Sequence, residues 1–232
     1  MMTKYVQILA IETATSSCSV ALSAAGQVLS RTEVGSNIHS QVVLQMVREV
    51  LDEAELRVKE LEAVAVGQGP GSFTGLRIGV GVAQGIAYGA ACSMIGVSSL
   101  DALANQAAGL GPVIAAIDAR MGEVYWCEYI KSAGTVTRQC QLQVSAPQRL
   151  TSVAQSDVQL VGNAWEEYKG QFNAELLARA TVDTSQVYPS AVSMLELAKQ
   201  SFAQGHIINP VDFAPEYVRN NVAKKSVVRK TS

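Results

Sequence analysis

The sequence predicts an α/β protein of 232 residues, built from two duplicated lobes of β-β-β-α-β-α order. Short apolar runs separated by turn residues give this order in the first half. The layout then starts again, since VIAAIDARMGEVYWCEYI repeats the pattern of VQILAIETATSSCSVALS. Hydrophobic residues make up 48% of the chain, which is enough for a full core. We therefore expect lobes at residues 1–108 and 109–232, the second reduced, with a cleft between them.

The first lobe opens with three predicted strands. The first is an apolar run that ends in Glu12, the second alternates over residues 18–23, and the third covers 28–34 after a turn at Gly26. A helix over 36–56 follows, and its apolar arc is broad for a helix with one buried face. The broad arc favours two neighbours for this helix.

The remaining elements are predicted in the same way. A buried strand at 64–67, a glycine-rich helix and a strand at 94–97 complete the first lobe. Ser98 and Asp101 have the spacing of a capping box and predict a further helix that starts at Ser98. In the second lobe, residues 135–157 read as polar and irregular, and 189–204 as a helix.

The stretch GQGPGSFTGLRIGVGVAQGIA fits neither of two common phosphate-binding loops. It contains no lysine for a P-loop, and Thr74 and Gln84 stand where a dinucleotide loop needs its third glycine. Small residues instead recur at steps of four, which lets another backbone approach closely. They pack either on the protein's own sheet or, for one row, on an external helix. The first row is Gly75, Gly79, Ala83, Ala87 and Ala91, and the second is Gly81, Gly85 and Gly89.

Composition narrows the class of protein further. The net charge is −2, so the protein lacks the excess of basic residues that is typical of proteins that bind nucleic acid directly. Basic residues concentrate only in the last segment, KKSVVRKTS, whose Lys224, Lys225, Arg229 and Lys230 are predicted to be solvated or to touch nucleic acid. The four cysteines form no C-x-x-C pair, and neither a signal peptide nor a membrane-spanning run is present. We expect a cytoplasmic protein without membrane contact, whose cysteines are core residues.

Four segments, ILAIETATSSCSVAL, GPGSFTGLRIGVGVAQGIA, DARMGEVYW and YVRNNVAKK, resemble the bacterial YeaZ/TsaB family. The resemblance implies the actin/hexokinase/Hsp70-like (ASKHA) fold. It also implies a non-catalytic subunit that supports threonylcarbamoylation of tRNA, next to the anticodon, by a TsaD-like catalytic paralogue. A TsaE-like P-loop ATPase would join the pair, tRNA would be met through the complex, and the isolated chain would form a homodimer. The protein would have no cofactor of its own, and ATP or ADP would bind only within the complex.

The resemblance also assigns candidate residues. The two metal-binding histidines of the catalytic relative fall on Ser99 and Leu103, and His39 and His206 lack metal-site spacing, so no metal site is expected. Glu12, where the family usually has aspartate, Thr13 and Asp118 are candidates for a nucleotide site. The alternative is that both acids cap turns. The first two helices would contact the partner through Ile38, His39, Val42, Met46, Val50, Phe73, Leu76, Gly79, Val80, Ala83 and Ala87.

Two other functions remain open at this stage. A small-molecule kinase of the same superfold would use the turns at 13–17 and 119–122 to hold phosphates. A peptidase would need zinc ligands or an oriented serine–histidine–acid set, and the sequence contains no credible arrangement of either kind. The scaffold function is therefore preferred to both.

Overall fold

The computed structural model describes residues 5–154, 156–185 and 187–218. The first five strands form one sheet in the order β3-β2-β1-β4-β5. Central strand β1 is antiparallel to β2 and parallel to β4. The strands are β1 (Ile8–Glu12), β2 (Ser17–Ala24), β3 (Gln27–Val34), β4 (Ala63–Gly69) and β5 (Ser93–Ser98), and the helices of this half are α1 (His39–Glu53), α2 (Phe73–Ala90) and α3 (Ser99–Asn105).

The second sheet repeats this topology. Its order is β11-β10-β6-β7-β8, with β9 also paired to β7. Central strand β6 is antiparallel to β7 and parallel to β10, as β1 is to β2 and β4. The strands are β6 (Gly111–Asp118), β7 (Val124–Ser132), β8 (Thr135–Arg138), β9 (Gln143–Ser145), β10 (Val158–Val161) and β11 (Ala180–Val182), and the helices are α4 (Ala164–Glu167), α5 (Ala174–Leu177) and α6 (Ala191–Ala203).

The second lobe departs from the predicted order in two places, of which one is a pair of short helices, α4 and α5, between β10 and β11. A strand and a single 3₁₀ turn, β9 and Pro147–Arg149, stand where the first lobe has helix α1. The segment 135–157, which the sequence predicted to be irregular, therefore contains two short strands. The polar residues of this segment did not predict strands, because both strands lie at the edge of the sheet, where side chains are exposed or half-buried.

Helices cover both faces of the first sheet. Helices α1 and α2 pack on the face that carries Leu9 and Ile11, while α6 packs on the opposite face over Ile8 and Ala10. Because both faces are covered, β1 is buried along its whole length. Helix α6 thus lies in the second half of the sequence and packs on the first sheet. The division at residue 108 remains a prediction.

Two local expectations need correction. The first helix begins at His39 and ends at Glu53, inside the predicted 36–56, because Asn37 and Glu55 adopt left-handed backbone conformations with φ of 60° and 52°. Ser98 lies at the N-cap of α3 but makes no capping hydrogen bond, and its buried Oγ has no partner in the part of the chain that the structure describes. Asp101 does not complete a capping box, because its carboxylate instead binds Arg138.

Among residues 5–154, 156–185 and 187–218, no helix is long and apolar enough to cross a membrane. The basic residues Lys224, Lys225, Arg229 and Lys230 lie outside the described residues, so the prediction for them stays open.

Candidate partner surface and interlobe cleft

The glycine-rich stretch provides space for the turn between β1 and β2. A methyl group added at Gly71 would overlap the carbonyl oxygen of Ala14. One added at Gly75 would overlap the carbonyl oxygen of Thr13, and one at Gly79 would overlap the hydroxyl of Thr13. Since no side chain fits at these places, α2 can approach the turn closely only with glycine there. Gly71, Gly75 and Gly79 therefore pack against the chain's own turn between β1 and β2.

The same contact explains the first row of small residues on α2. Thr13 donates a hydrogen bond of 2.9 Å from its hydroxyl to the carbonyl oxygen of Gly75. Further along the helix, Ala83 and Ala87 are fully buried in the core between α2 and the sheet. Except for Ala91, which follows the end of α2 and is exposed, this row packs on the protein's own first sheet and on the turn between β1 and β2.

Most residues predicted to face a partner are buried within the single chain, and their contact with a partner stays a prediction. They are buried beneath α1 and α2 because the broad apolar arcs of these helices cover the sheet and each other. Residues this deeply buried offer little or no surface to a second protein. The buried ones are His39, Met46, Val50, Leu76, Gly79, Val80, Ala83 and Ala87, whereas Ile38 and Val42 are half-buried and Phe73 is exposed.

The second row of small residues is open instead. Around Gly81, Gly85 and Gly89, no atom of the described residues beyond the adjacent helix backbone lies within 4 Å of the position that a methyl group would take. The neighbouring Tyr88 is 76% exposed. Gly85 and Tyr88 also border a shallow groove with Val211, on the segment that returns along α2. The exposed face of α2 thus presents three glycines beside Tyr88, and no element of the described residues covers these glycines.

The return segment was not predicted from the sequence. Ile208 exchanges two backbone hydrogen bonds with Met94 at the edge of the first sheet. Gln84 of α2 donates to the carbonyl oxygens of Pro210 and Phe213, at 2.8 and 3.1 Å. The segment that begins with the 3₁₀ turn Pro210–Asp212 is therefore held along one side of α2, where it borders the open row.

Glu12 is buried at the end of β1. Its carboxylate accepts hydrogen bonds from the Ala14 amide at 2.6 Å and from the Ser99 hydroxyl at 2.8 Å. Gly67 leaves room for this carboxylate, since a methyl group there would overlap it. Burial raises the pKa of Glu12 to about 7, and these hydrogen bonds offset part of the effect. Glu12 therefore acts as a turn cap inside the protein.

Asp118 caps the equivalent turn in the second lobe. Its Oδ1 accepts from the Arg120 amide and from the Tyr168 hydroxyl, both at 2.7 Å, and the Arg120 guanidinium pairs with Oδ2 at 3.1 Å. Burial, together with this hydrogen bond to Asp118, raises the pKa of Tyr168 to about 12. Each acid accepts from the amide two residues further on, so the turn-capping interpretation is confirmed in both lobes.

A cleft of about 380 Å³ lies between the lobes. Of the three residues predicted to hold a nucleotide, Asp118 borders it, whereas Glu12 and Thr13 do not. The latter two are buried because α2 closes over their turn. The structure therefore does not bring the three predicted groups together around this cleft.

His39 borders the same cleft near the start of α1. It is 7% exposed, and its Nε2 has no hydrogen-bond partner among the described residues. His206 is exposed near the end of α6. Within the described ranges, no group of three histidine, cysteine, aspartate or glutamate side chains could hold a metal ion. Ser99 is engaged by Glu12, and Leu103 lies in the core.

Comparison with known proteins identifies the family. A family model described as "TsaD: tRNA N6-adenosine threonylcarbamoyltransferase" matches residues 28–227. The Escherichia coli (strain K12) "tRNA threonylcarbamoyladenosine biosynthesis protein TsaB" is 40% identical over 231 residues, which cover 95% of this chain and 98% of that protein. The chain belongs to the YeaZ/TsaB family. The TsaB of Haemophilus influenzae is 36% identical over 232 residues, or 95% of this chain and 96% of that one.

A solved YeaZ structure confirms the fold class. YeaZ from Pseudomonas aeruginosa superposes with a TM-score of 0.85 at 37% identity, over 91% of this chain and 99% of that chain. Together with the two mixed sheets of equal topology, this match confirms the predicted α/β fold of the actin/hexokinase/Hsp70-like class. The resemblance seen in the sequence is likewise confirmed.

Proposed function

We propose that this member of the YeaZ/TsaB family is a non-catalytic scaffold in tRNA threonylcarbamoyladenosine biosynthesis. It pairs with a TsaD-like catalytic subunit, and a TsaE-like ATPase joins the pair. It meets tRNA through this complex in the cytoplasm, where it supports threonylcarbamoylation of the adenosine 3′ to the anticodon. Alone, it forms a homodimer through the face of α2 that carries Gly81, Gly85 and Gly89. The relatives named for this biosynthesis support the pathway.

The open row of glycines on α2 carries the proposal. A glycine inside a helix costs about 0.5–1 kcal/mol relative to alanine. The contacts that account for Gly75 and Gly79 are lacking at Gly81, Gly85 and Gly89, where the described chain leaves open space. A second helix that lies across this row would approach the α2 backbone closely and offset the cost. We therefore infer that the partner's helix packs on this row.

The state of the acids at the two turns supports a non-catalytic role. The Glu12 carboxylate is fully buried, and the Asp118 carboxylate is held by Tyr168 and Arg120. Neither acid is free to bind a metal–phosphate group in the isolated chain. We propose that the protein uses no cofactor of its own, and that ATP or ADP binds only when the catalytic subunit completes the site.

The test replaces a residue of the open row. Gly85→Glu places a long charged side chain on the exposed face of α2 without touching the core, because the site is open. We expect affinity for the TsaD-like subunit, measured by calorimetry, to fall at least 10-fold, since the carboxylate would be buried without a partner.

A matched control introduces the same glutamate side chain on a different surface of the protein. Val192→Glu adds the same side chain at an exposed position of α6, on the opposite face of the first sheet. This variant should bind like the wild type. Analytical ultracentrifugation of the isolated proteins should show loss of the homodimer for Gly85→Glu alone. Unchanged affinity of a folded Gly85→Glu protein for the catalytic subunit would refute the proposed surface.

A further inference from the structure

Two cysteine side chains of the second lobe touch each other. Cys127 lies on β7 and Cys140 follows the end of β8, and their sulfur atoms are 3.4 Å apart. The two strands continue their pairing here, since the Gln139 amide donates to the carbonyl oxygen of Glu128 at 2.7 Å. Both thiols are reduced in this structure. A disulfide needs a sulfur separation of about 2.05 Å, so the two sulfurs would approach by about 1.4 Å.

We propose that Cys127 and Cys140 are an oxidation site, at which a low-molecular-weight disulfide such as oxidised glutathione forms an intramolecular disulfide. The sequence predicted core cysteines because no C-x-x-C pair is present; the strand register instead brings together two cysteines that are 13 positions apart. Cys127 is buried, whereas Cys140 is half-buried, so Cys140 is the thiol that the small disulfide reaches first.

The reaction is a pair of thiol–disulfide exchanges. The Cys140 thiolate attacks one sulfur of oxidised glutathione and releases the first glutathione thiolate. The Cys127 thiolate then attacks the Cys140 sulfur of the mixed disulfide and releases the second. Two protein thiols are oxidised to one disulfide, and one glutathione disulfide is reduced to two thiols. Burial, together with the neighbouring Cys140 thiol, raises the pKa of Cys127 to about 12, which makes the second exchange the slow one.

The position of the pair suggests what oxidation does. Two residues along each strand, Tyr129 and Arg138 both bind Asp101 of α3 in the first half of the chain. The Tyr129 hydroxyl donates at 2.8 Å, and the Arg138 guanidinium donates two bonds at 2.8 and 2.9 Å. A covalent link between residues 127 and 140 would hold the strands in register beside this contact. The disulfide would therefore stabilise the attachment of α3 to the second sheet.

Mass spectrometry of the full chain tests the proposal. After incubation in a series of reduced and oxidised glutathione mixtures, we expect a peptide cross-link between residues 127 and 140, loss of two of the four free thiols, and reversal by dithiothreitol. The oxidised protein should also unfold at a higher temperature than the reduced one. Four free thiols throughout the series, or glutathione left on Cys140 without the cross-link, would overturn it.

The other two cysteines supply matched controls. Cys92 is half-buried like Cys140, and Cys18 is buried like Cys127. Cys92→Ser should therefore retain the cross-link and the thermal shift, whereas Cys140→Ser should lose both. If Cys140→Ser does not fold, the presence or absence of the cross-link between residues 127 and 140 in the wild type tests the proposal by itself.

Discussion

Two rows of small residues run along the same helix and have opposite environments. Gly75 and Gly79 press against Thr13, where not even a methyl group fits. Gly81, Gly85 and Gly89 face open space, although they have the same spacing on the same helix. The first row is thus required by the fold of the single chain. The second row has no such requirement within the described residues, and a partner is the explanation that we propose for it.

The difference shows that spacing alone does not reveal what a small residue is for. Steps of four place residues on one face of a helix, whichever neighbour that face meets. The neighbour of the first row is the turn between β1 and β2, which Glu12 caps by accepting a hydrogen bond from the Ala14 amide. Glycine serves there to let two backbones of one chain meet. Substitutions in the two rows should therefore have opposite effects.

The largest effect is expected for Gly75→Ala. Helix propensity alone would favour alanine by about 0.5–1 kcal/mol. The new methyl group would overlap the Thr13 carbonyl oxygen, which belongs to the backbone of a buried turn and cannot move aside as a side chain would. We expect a net loss of about 3 kcal/mol in the free energy of unfolding, measured by urea denaturation. Equal stability of Gly75→Ala and wild type would show that the turn is not held as described.

The next effect concerns the acid under the same turn. The pKa of Glu12 rises from 4.5 to about 7 on folding because of burial. Between these values the folded protein retains a proton that the unfolded chain has released. Stability from Glu12 is therefore fully present below pH 4.5 and is lost as the pH rises through 7. The shift corresponds to about 3 kcal/mol at most.

Glu12→Gln removes the titration while keeping the shape. We expect its free energy of unfolding to vary less between pH 5 and pH 8 than that of the wild type, as measured by urea denaturation at each pH. Glu33→Gln, at an exposed acid on β3, is the control and should retain the wild-type pH dependence. Identical pH profiles for Glu12→Gln and wild type would mean that Glu12 does not titrate in this range.

The fold was largely predictable because its signals are local. The apolar runs that form β1, β4 and β6 and the turn at Gly26 each lie within a short window of sequence, and the same local pattern recurs in the second half. The path from Ile208 to Phe213 could not be predicted, since the fold and not any spacing brings Ile208 to Met94 and Phe213 to Gln84. The edge strand β9 was missed because its side chains are partly exposed and carry no alternating pattern.

The candidate site was predicted only in outline. Sequence reasoning identified helices α1 and α2 but selected their most apolar residues, such as Val50 and Leu76, which pack inside. An apolar letter indicates burial without indicating against which neighbour. The better signal was already present in the second glycine row, because Gly85 gives a helix no packing area and no propensity. Residues that weaken a helix without an internal reason are stronger indicators of a partner surface than residues that strengthen its core.

The smallest effect is also the most direct test of this distinction. Gly85→Ala makes the same chemical change as Gly75→Ala, ten positions further along the same helix. Because no other part of the described chain lies within 4 Å of the new methyl group, the gain in helix propensity should be realised in full. We expect the free energy of unfolding of the isolated monomer to rise by about 0.5–1 kcal/mol in urea denaturation at low protein concentration. If Gly85→Ala instead destabilised the monomer, the row would be packed against its own chain, and the contrast between the two rows would fail.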